Sequence, residues 1–544
     1  MTNFTQLSKK AADSFIQSIV FIDDKAYEDG VGNGQHDFDA KEITKIFAQN
    51  GKVCAVYEPT SVQDIDSLIP VTKKADVAVL DWQIVIDEED EAEEDEADAD
   101  IDDMRGIYTK KIITQLLHDE SCKNSVKLIL VYTGETDLEQ IASDIHQNIC
   151  DSNIQGFNLD EDDLCTIVSH SCRIMVIAKS NCEEDRGIHA ELLRLKKVTY
   201  SELPVFITEQ FSSLTKGLLS SFAMESLSEI RRNFTKILSQ FSKNLDPAYL
   251  AHQSLLPNTH DANELLIDLL GSTFMSTLRY KGLNQYIDNN LVKSWIDENI
   301  TERDFTLKKI NGEDDNVSFH LNGDKLKVLI ESQPDPDVKY LNVISEDING
   351  NQIKEAKIKL LASKFAITLF TDSSDYININ HRFANLCQHR SLFINDDYTP
   401  NLTLGTVVKS NKDNNYYICI QQRCDSVRLY SEESRRFLFL TLVEPENNKK
   451  FDFLTPSGVK LGVCKSTYAL RTVKFNGSDT GYVQSKIQHG NRIFSPSHYS
   501  DEIPEEFEFI VELKDMYAQK IIEEYSGILS RVGLDEPEWV RRYS

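Results

Sequence analysis

The 544-residue sequence contains no apolar run of the roughly 18 or more residues that a membrane-spanning helix needs. Its first apolar stretch, Ile19 to Ile22, stops at two aspartates, so no signal peptide is expected. The ten cysteines are scattered without a CxxC pair, which is typical of reduced thiols. We therefore expect a cytoplasmic protein with no membrane association.

Positive charge is scarce, because 58 Lys and Arg residues face 88 Asp and Glu residues and give a net charge of −30. Nucleic acid is excluded as an expected partner, since phosphate contacts require clustered basic side chains. Much of the charge is local, with 13 acidic residues among the 17 from Asp87 to Asp103. Such a block repels itself and predicts a disordered insertion near residues 86–103, either simply solvated or a docking site for a basic partner.

The sequence also lacks the common motifs for zinc and for nucleotides. Cysteines and histidines crowd between Cys165 and His189, but their spacing fits no zinc template. A glycine-rich loop from Gly30 to Gly34 lacks the Gly-Lys-Ser/Thr ending of a phosphate-binding loop. Neither a zinc site nor a nucleotide site is predicted.

Short apolar runs that end in single polar residues are present instead. The run from Ala75 leads directly to Asp81, which indicates a strand buried on both faces of a parallel sheet. Three similar runs end at Asp23-Asp24, at Thr133-Gly134 and at Lys179. Because ligands bind at the carboxyl ends of such strands, these side chains are expected to converge.

Helical patterns separate these strands, which predicts right-handed βαβ crossovers and an α/β fold. We predict a doubly wound, five-stranded parallel sheet of the flavodoxin-like kind in residues 1–200. A helical segment follows in 201–300, and a β-rich α+β domain with a terminal helix in 301–544. The apolar stripe of residues 205–243 is explained either by an intramolecular core or by a surface for a homodimer or another partner.

Local signals refine the C-terminal half. Asn-Gly pairs at 311–312, 322–323 and 349–350 predict hairpin turns, and residues 355–366 and 507–529 predict helices. Residues 416–420 and 437–442 predict strands. No histidine is paired with Cys424 by sequence, so we interpret its surroundings as a structural turn and not as a nucleophile.

The strand-end residues suit phosphoryl chemistry. Three neighbouring carboxylates, Asp23, Asp24 and Asp81, cannot all remain ionised without a cation, and hard oxygen ligands suit Mg²⁺. A carboxylate held in this way can attack a phosphoryl group and become an aspartyl phosphate. The hydroxyl of Thr133 and the ammonium of Lys179 are suited to bind the phosphoryl oxygens.

In this order, these residues resemble the receiver domain of two-component response regulators over residues 14–200. The resemblance implies that Asp81 is the phospho-acceptor. It also implies that Asp23, Asp24, Asp81 and the main-chain carbonyl of Gln83 form the Mg²⁺ site.

The same resemblance implies that Thr133 is the switch hydroxyl and that Lys179 pairs with the phosphate. Ser180 stands where the family usually has proline, so Lys127 and Lys123 remain alternatives to Lys179. The bulky Trp82 directly after the acceptor is expected to restrict access to the site.

The layout of the whole chain also resembles the large receiver proteins of Detocs-type bacterial phage-defence systems. In such systems a sensor histidine kinase phosphorylates two receiver proteins, one with a toxic effector domain and one that acts as a phosphate sink. No nucleosidase signature is found in the C-terminal half, which favours the sink. This resemblance implies a non-enzymatic protein whose partners are the kinase and a second receiver or effector protein.

Two alternatives remain open. A Mg²⁺-dependent phosphohydrolase of the haloacid-dehalogenase type would need an aspartate two residues after its nucleophile, but Gln83 and Ala26 occupy those positions. The other alternative is a response regulator whose C-terminal half is a cryptic effector.

Overall fold

The computed structural model describes residues 3–27, 38–86, 106–120, 122, 125–182, 190–256, 261–280, 283–307, 317–331, 336–390, 397–446, 450–497 and 505–529. Several sequence features lie outside these residues: the glycine-rich loop 30–34, the acidic run 87–103, Lys123, His189, Asn311-Gly312 and the C-terminal residues 530–544. The chain forms two compact units. Unit 1 comprises residues 1–245, 268–303 and 322–334, and unit 2 comprises 246–267, 304–321 and 335–544.

Unit 1 is built on one sheet. Its strands are β1 (Ser18–Ile22), β2 (Val53–Tyr57), β3 (Val77–Leu80), β4 (Lys127–Thr133), β5 (Asn158–Leu159), β6 (Thr166–Val168), β7 (Cys172–Lys179) and β8 (Lys197–Val198). The order is β2-β1-β3-β4-β7-β6-β5, with β8 beside β7. The first five of these strands are parallel, which confirms the predicted doubly wound sheet. The segment between residues 150 and 170 adds β5 and β6 as an antiparallel edge.

The helices of unit 1 cover both faces of this sheet. They include α1 (Phe4–Phe15), α2 (Ala40–Gln49), α3 (Val62–Lys74), α4 (Ile107–His118), α5 (Leu138–Asp151), α6 (Ala190–Lys196), α7 (Leu203–Leu214) and α8 (Leu218–Gln240). One core packs α3, α4 and α5 on the sheet, and the other packs α1, α2, α7 and α8. Strands β3 and β4 are buried along their whole length because helices cover both of their faces.

Helix α8 is fixed to the sheet by a partly buried ion pair. The guanidinium of Arg231 contacts both carboxylate oxygens of Asp76 at 3.0 and 3.1 Å, and it also donates to the carbonyl of Phe15. Asp76 in turn accepts hydrogen bonds from the amides of Gln17 and Ser18, at the start of β1. A planar two-point contact of this kind fixes orientation as well as distance. Helix α8 therefore packs against the sheet in a defined orientation.

Three more helices lie in residues 246–299, a part of the chain that is divided between unit 2 (246–267) and unit 1 (268–303). They are α9 (Asp246–Leu255), α10 (Asp261–Tyr280) and α11 (Asn289–Asn299). Helix α11 contributes to unit 1, where Ser294 and Glu298 accept hydrogen bonds from the first amide of α1. No helix among the described residues is both long and apolar enough to cross a bilayer.

The remaining elements are mostly antiparallel strands. They are β9 (Arg303–Leu307), β10 (Val317–Leu321), α12 (Gly323–Leu329), α13 (Pro336–Val343), α14 (Glu355–Leu360), α15 (Tyr376–Gln388), β11 (Thr406–Ser410), β12 (Tyr416–Cys419), β13 (Ser434–Val443), β14 (Phe453–Leu454), β15 (Lys460–Val463), β16 (Leu470–Asn476), β17 (Lys486–Gln488), β18 (Asn491–Phe494), β19 (Phe507–Glu512) and α16 (Asp515–Leu529). Strands β11 to β19 form one antiparallel sheet. An isolated antiparallel bridge joins Phe475 of β16 to Pro496, two residues after the end of β18. Buried aromatic side chains of these strands form a core against the sheet.

Two local predictions in the C-terminal half were wrong. Asn322-Gly323 is not a hairpin turn, because the Asn322 side chain caps α12 by accepting a hydrogen bond from the amide of Lys325. Residues 507–512 form a strand and not the start of the terminal helix. Phe507, Phe509 and Val511 alternate with more exposed residues at the two-residue period of a strand, and the helix begins at Asp515.

Candidate functional site

The acidic residues predicted at strand ends lie together at the carboxyl-terminal end of the parallel strands in unit 1. Strand β1 lies between β2 and β3, and its ladder continues past the strand ends. The amide of Asp81 donates to the carbonyl of Ile22 at 2.8 Å, and the amide of Asp23 donates to that of Tyr57 at 3.1 Å. These backbone bonds place the carboxylates of Asp23 and Asp81 on neighbouring strands. Both side chains are buried, with residue exposures of 2% and 4%.

Lys179 lies between these two carboxylates. Its Nζ is 2.7 Å from Oδ2 of Asp23 and 3.1 Å from Oδ1 of Asp81. The lysine comes from the end of β7, two strands beyond β3, and is itself 1% exposed. A buried ammonium requires a compensating negative charge, and the two aspartates supply it.

Backbone amides bind the other carboxylate oxygens. The amide of Lys25 donates to Oδ1 of Asp23 at 2.9 Å, and that of Gln83 donates to Oδ2 of Asp81 at 3.2 Å. The amide of Val85 donates to Oδ2 of Asp24 at 3.0 Å, so the loop after β3 is tied to the loop after β1. Asp24, unlike Asp23, is only half-buried.

The electrostatics of the site raise the pKa values of Asp23 and Asp24. Burial raises the pKa of Asp23 to about 7, and the nearby charge of Asp81 adds to the rise while Lys179 opposes it. Burial raises the pKa of Asp24 to about 6, with the amide of Val85 opposing that rise. Burial alone would lower the pKa of Lys179, but Asp81 and Asp23 together raise it, so the ammonium stays charged. The site therefore holds more carboxylate than its single buried lysine neutralises.

Thr133 lies at the same end of the sheet, and Gln83 is bound there through its amide, which donates to Asp81. Thr133 ends β4, is fully buried, and accepts a hydrogen bond from the amide of Glu135 at 3.1 Å. The alternative lysine, Lys127, lies at the opposite end of β4, where its Nζ donates to the carbonyl of Thr72 at 2.8 Å near the end of α3. Among the lysines that the structure describes, Lys179 is therefore the one in contact with the carboxylates.

The contacts that hold the loop after Asp81 were not predicted from the sequence. Trp82 is buried in the core beneath α4, so its ring packs away from solvent instead of standing over the site. The hydroxyl of Thr109, in the first turn of α4, donates to the carbonyl of Asp81 at 2.5 Å. Gly106, before α4, lies against the Trp82 ring. These contacts join residues that are 24 or more positions apart in the sequence, and no local motif predicts them.

We predict that Gly106→Ala destabilises unit 1. Gly106 has φ +74°, and an added Cβ would lie 2.2 Å from the Trp82 ring, so the ring or α4 must shift. Overpacking costs about 1–3 kcal/mol beyond the backbone penalty. Urea unfolding followed by tryptophan fluorescence measures the loss.

Gly156→Ala is the matched control, because Gly156 has φ +87° with no atom within 4 Å of the added Cβ. It reports the backbone penalty alone. Equal losses of stability in the two variants would contradict the packing of Trp82 against Gly106.

The comparison with protein families bears on this segment. Residues 15–184 match the response receiver domain. The match includes all six predicted site residues and the five-stranded parallel sheet that positions them. No curated protein and no solved structure matches the chain significantly. The receiver domain supports a phospho-accepting, response-regulator-like role and implies a histidine kinase as the general kind of partner.

Receiver domains generally bind Mg²⁺, and the donor chemistry here fits that ion. Oδ1 of Asp81 is buried and accepts no hydrogen bond, although it lies within ion-pair distance of Lys179. A cation would favour the charged forms of Asp23 and Asp24, whose pKa values burial has raised. In the described part of the chain, no three Asp, Glu, His or Cys side chains are already grouped as the ligands of one metal ion. The chemistry of the ligands fits, while their arrangement is that of a lysine-bridged pair.

The raised pKa of Asp23 predicts a pH dependence. Between its ordinary value near 4 and about 7, the folded protein binds more protons than the unfolded chain, so stability falls as pH rises. Relative to Asp23→Asn, which cannot titrate there, the wild type should lose about 2–3 kcal/mol between pH 5 and pH 7. Unfolding curves of the two proteins at several pH values measure this difference, and parallel pH profiles would contradict it.

Proposed function

We propose that this protein accepts a phosphoryl group on Asp81 from the phosphohistidine of a sensor histidine kinase. The observation that carries the proposal is the placement of Asp81 beside Lys179 and Asp23 at the strand ends of a receiver domain. In the transfer, an oxygen of the Asp81 carboxylate bonds to phosphorus as the P–N bond to histidine breaks. The histidine nitrogen keeps the bonding electrons and is then protonated.

Each side chain of the site would have a separate duty. Asp23, Asp24, Asp81 and the main-chain carbonyl of Gln83 would hold Mg²⁺, which when bound neutralises charge on the phosphoryl oxygens. Lys179 would pair with one phosphoryl oxygen, and the Thr133 hydroxyl would donate to another. The backbone amides that already bind Asp23, Asp24 and Asp81 keep the carboxylates oriented.

We further propose that the protein stores phosphate, as a sink in a bacterial anti-phage two-component system. The resemblance to Detocs-type receiver proteins suggests this role, and the burial of Asp81 supports a long phosphate lifetime. With Asp81 only 4% exposed, water has little access for hydrolysis of an acyl phosphate. The second receiver or effector protein of such a system would then compete for the same kinase.

The test is an intact-mass time course of the purified protein with acetyl phosphate and Mg²⁺, and with a phosphorylated histidine kinase. A single adduct that decays slowly after the donor is removed supports both acceptance and storage. An adduct that decays within seconds would remove the storage role and leave acceptance. Failure of both donors would contradict acceptance itself.

The apolar stripe predicted over residues 205–243 divides into two parts. Its first part is intramolecular, because Ile207 and Phe211 of α7 are buried in the core of unit 1. In α8, Leu227, Phe234 and Leu238 are at least half exposed. The spacing of four residues between Phe234 and Leu238 and of seven between Leu227 and Phe234 suits packing against a like helix. We propose that this face pairs with a second copy of the chain.

Leu238→Glu should then convert the homodimer to a monomer, because the charge would be buried in the interface between the two helices. Lys236→Glu changes charge at an exposed position of the same helix and is the control. Light scattering coupled to size-exclusion chromatography measures both masses. A monomeric wild type, or a Leu238→Glu dimer, would contradict the pairing.

A further inference from the structure

A row of aromatic rings leads from Lys179 to the start of α7. The Nζ of Lys179 lies 5.5 Å from the centroid of the Phe38 ring. The Phe38 and Tyr200 rings meet edge to face at 6.0 Å, and the Tyr200 and Tyr132 rings at 6.2 Å. Phe38 and Tyr132 are buried, with 4% and 1% exposure, so the ammonium faces a fixed aromatic surface.

The backbone joins the same two places. In the parallel pairing of β7 with β8, Lys179 lies opposite Val198, two residues before Tyr200. The hydroxyl of Tyr132 donates to the carbonyl of Val198 at 2.8 Å. The hydroxyl of Tyr200 accepts a hydrogen bond from the amide of Asp39 at 3.1 Å, and Asp39 caps α2. Residues 198–200 are therefore held from the side of Lys179 and from the side of α2.

Helix α7 begins directly after this segment. The amide of Thr199 donates to Oε2 of Glu202 at 2.9 Å, and the amide of Leu203 donates to the carbonyl of Thr199 at 3.1 Å. Leu203 is fully buried in the core that also contains Phe38 and Met224 of α8. A displacement of Tyr200 would thus be transmitted to the first turn of α7.

We propose that Phe38 is a positioning residue for the Lys179 ammonium, and that Phe38 and Tyr200 pass a change at Lys179 to helices α7 and α8. The ammonium contacts the carboxylates of Asp23 and Asp81 and the face of the Phe38 ring, and aromatic faces attract cations. A phosphoryl group on Asp81 adds charge and oxygen acceptors beside the ammonium, which draws it away from the ring. This last step rests on the proposed phosphorylation of Asp81, whereas the link between Lys179 and α7 does not.

Hydrogen exchange by mass spectrometry on the full-length protein tests the link. Lys179→Gln removes the ammonium and should speed exchange in residues 199–214 by about tenfold, with α5 as the internal reference. In a Phe38→Leu background, Lys179→Gln should add no further change in residues 199–214 relative to α5, because a general loss of stability of unit 1 speeds exchange in both segments. Phe38→Tyr keeps a ring face and should restore the response.

Phe47→Leu is the matched control, because Phe47 packs in the same core against Phe21 and has no ring contact with Lys179. The response to Lys179→Gln should persist in that background. A response that is the same with Phe38→Leu as with Phe47→Leu, or no response in the wild-type background, would overturn the proposal.

A second arm uses acetyl phosphate and Mg²⁺, with the adduct counted by intact mass in the same samples. Phosphorylation of the wild type should speed exchange in α7. Loss of this effect in Phe38→Leu, at the same fraction of phosphorylated protein, supports the proposed link from Lys179 through Phe38 to α7. The same change in Phe38→Leu overturns it. Failure to form an adduct counts against the proposed acceptance of phosphate, while the Lys179→Gln arm still tests this link.

Discussion

Replacing Lys179 by methionine is expected to destabilise unit 1 by about 3–5 kcal/mol at neutral pH. The methionine fills nearly the same volume but leaves Asp23 and Asp81 buried beside each other without a counter-charge. The loss should be the largest of any single substitution considered for this domain. Urea unfolding followed by tryptophan fluorescence measures it, since Trp82 and Trp295 both belong to unit 1.

The same variant should recover stability in acid. Without Lys179, the pKa of Asp23 rises further, because burial and Asp81 both raise it and the opposing ammonium is gone. A carboxyl group whose pKa is raised by folding stabilises the protein below its unfolded pKa and less so as pH rises. Lowering the pH from 7.5 to 5 should therefore reduce the difference in free energy of unfolding between Lys179→Met and the wild type.

Lys196→Met is the control for this substitution. Lys196 contacts Asp163 at 2.5 Å in a partly exposed pair, for which a change below about 1 kcal/mol is expected. A Lys179→Met protein that unfolds like the Lys196→Met protein would show that the buried triad does not hold the site together.

Asp81→Asn is expected to abolish phosphorylation by both acetyl phosphate and a histidine kinase. The amide that replaces the carboxylate keeps nearly the same shape but is not a nucleophile for phosphorus. Intact mass should show one adduct on the wild type and none on the variant.

Asp162→Asn is the matched control, because Asp162 is an exposed aspartate of the same domain. It should accept phosphate like the wild type. An Asp81→Asn protein that still forms the adduct would place the acceptor at another residue.

The strand ends of unit 1 were predictable from the sequence, because short apolar runs bounded by polar residues are typical of strands buried in a parallel sheet. Parallel neighbouring strands have their carboxyl ends on the same side of the sheet. The sequence therefore predicts that Asp23, Asp81, Thr133 and Lys179 lie at one end of the sheet, and the structure places all four there. Their chemical roles stay predictions.

The contacts around these residues were not predictable. Phe38, Thr109 and Tyr200 reach the site from segments that are far apart in sequence, and nothing in their local patterns marks them. The Asn322-Gly323 pair shows a different limit, since asparagine before glycine suits a helix cap as well as a hairpin turn. In each case the tertiary partner decides between local alternatives.

Identification of the phosphorylated residue tests the central claim most directly. After exposure to the donor and Mg²⁺, sodium borohydride reduces an aspartyl phosphate to homoserine, which peptide mass spectrometry then locates. We predict homoserine at position 81 and at no other aspartate. Homoserine elsewhere, or a stable phosphate on a histidine or serine, would contradict the assignment of Asp81 as the acceptor.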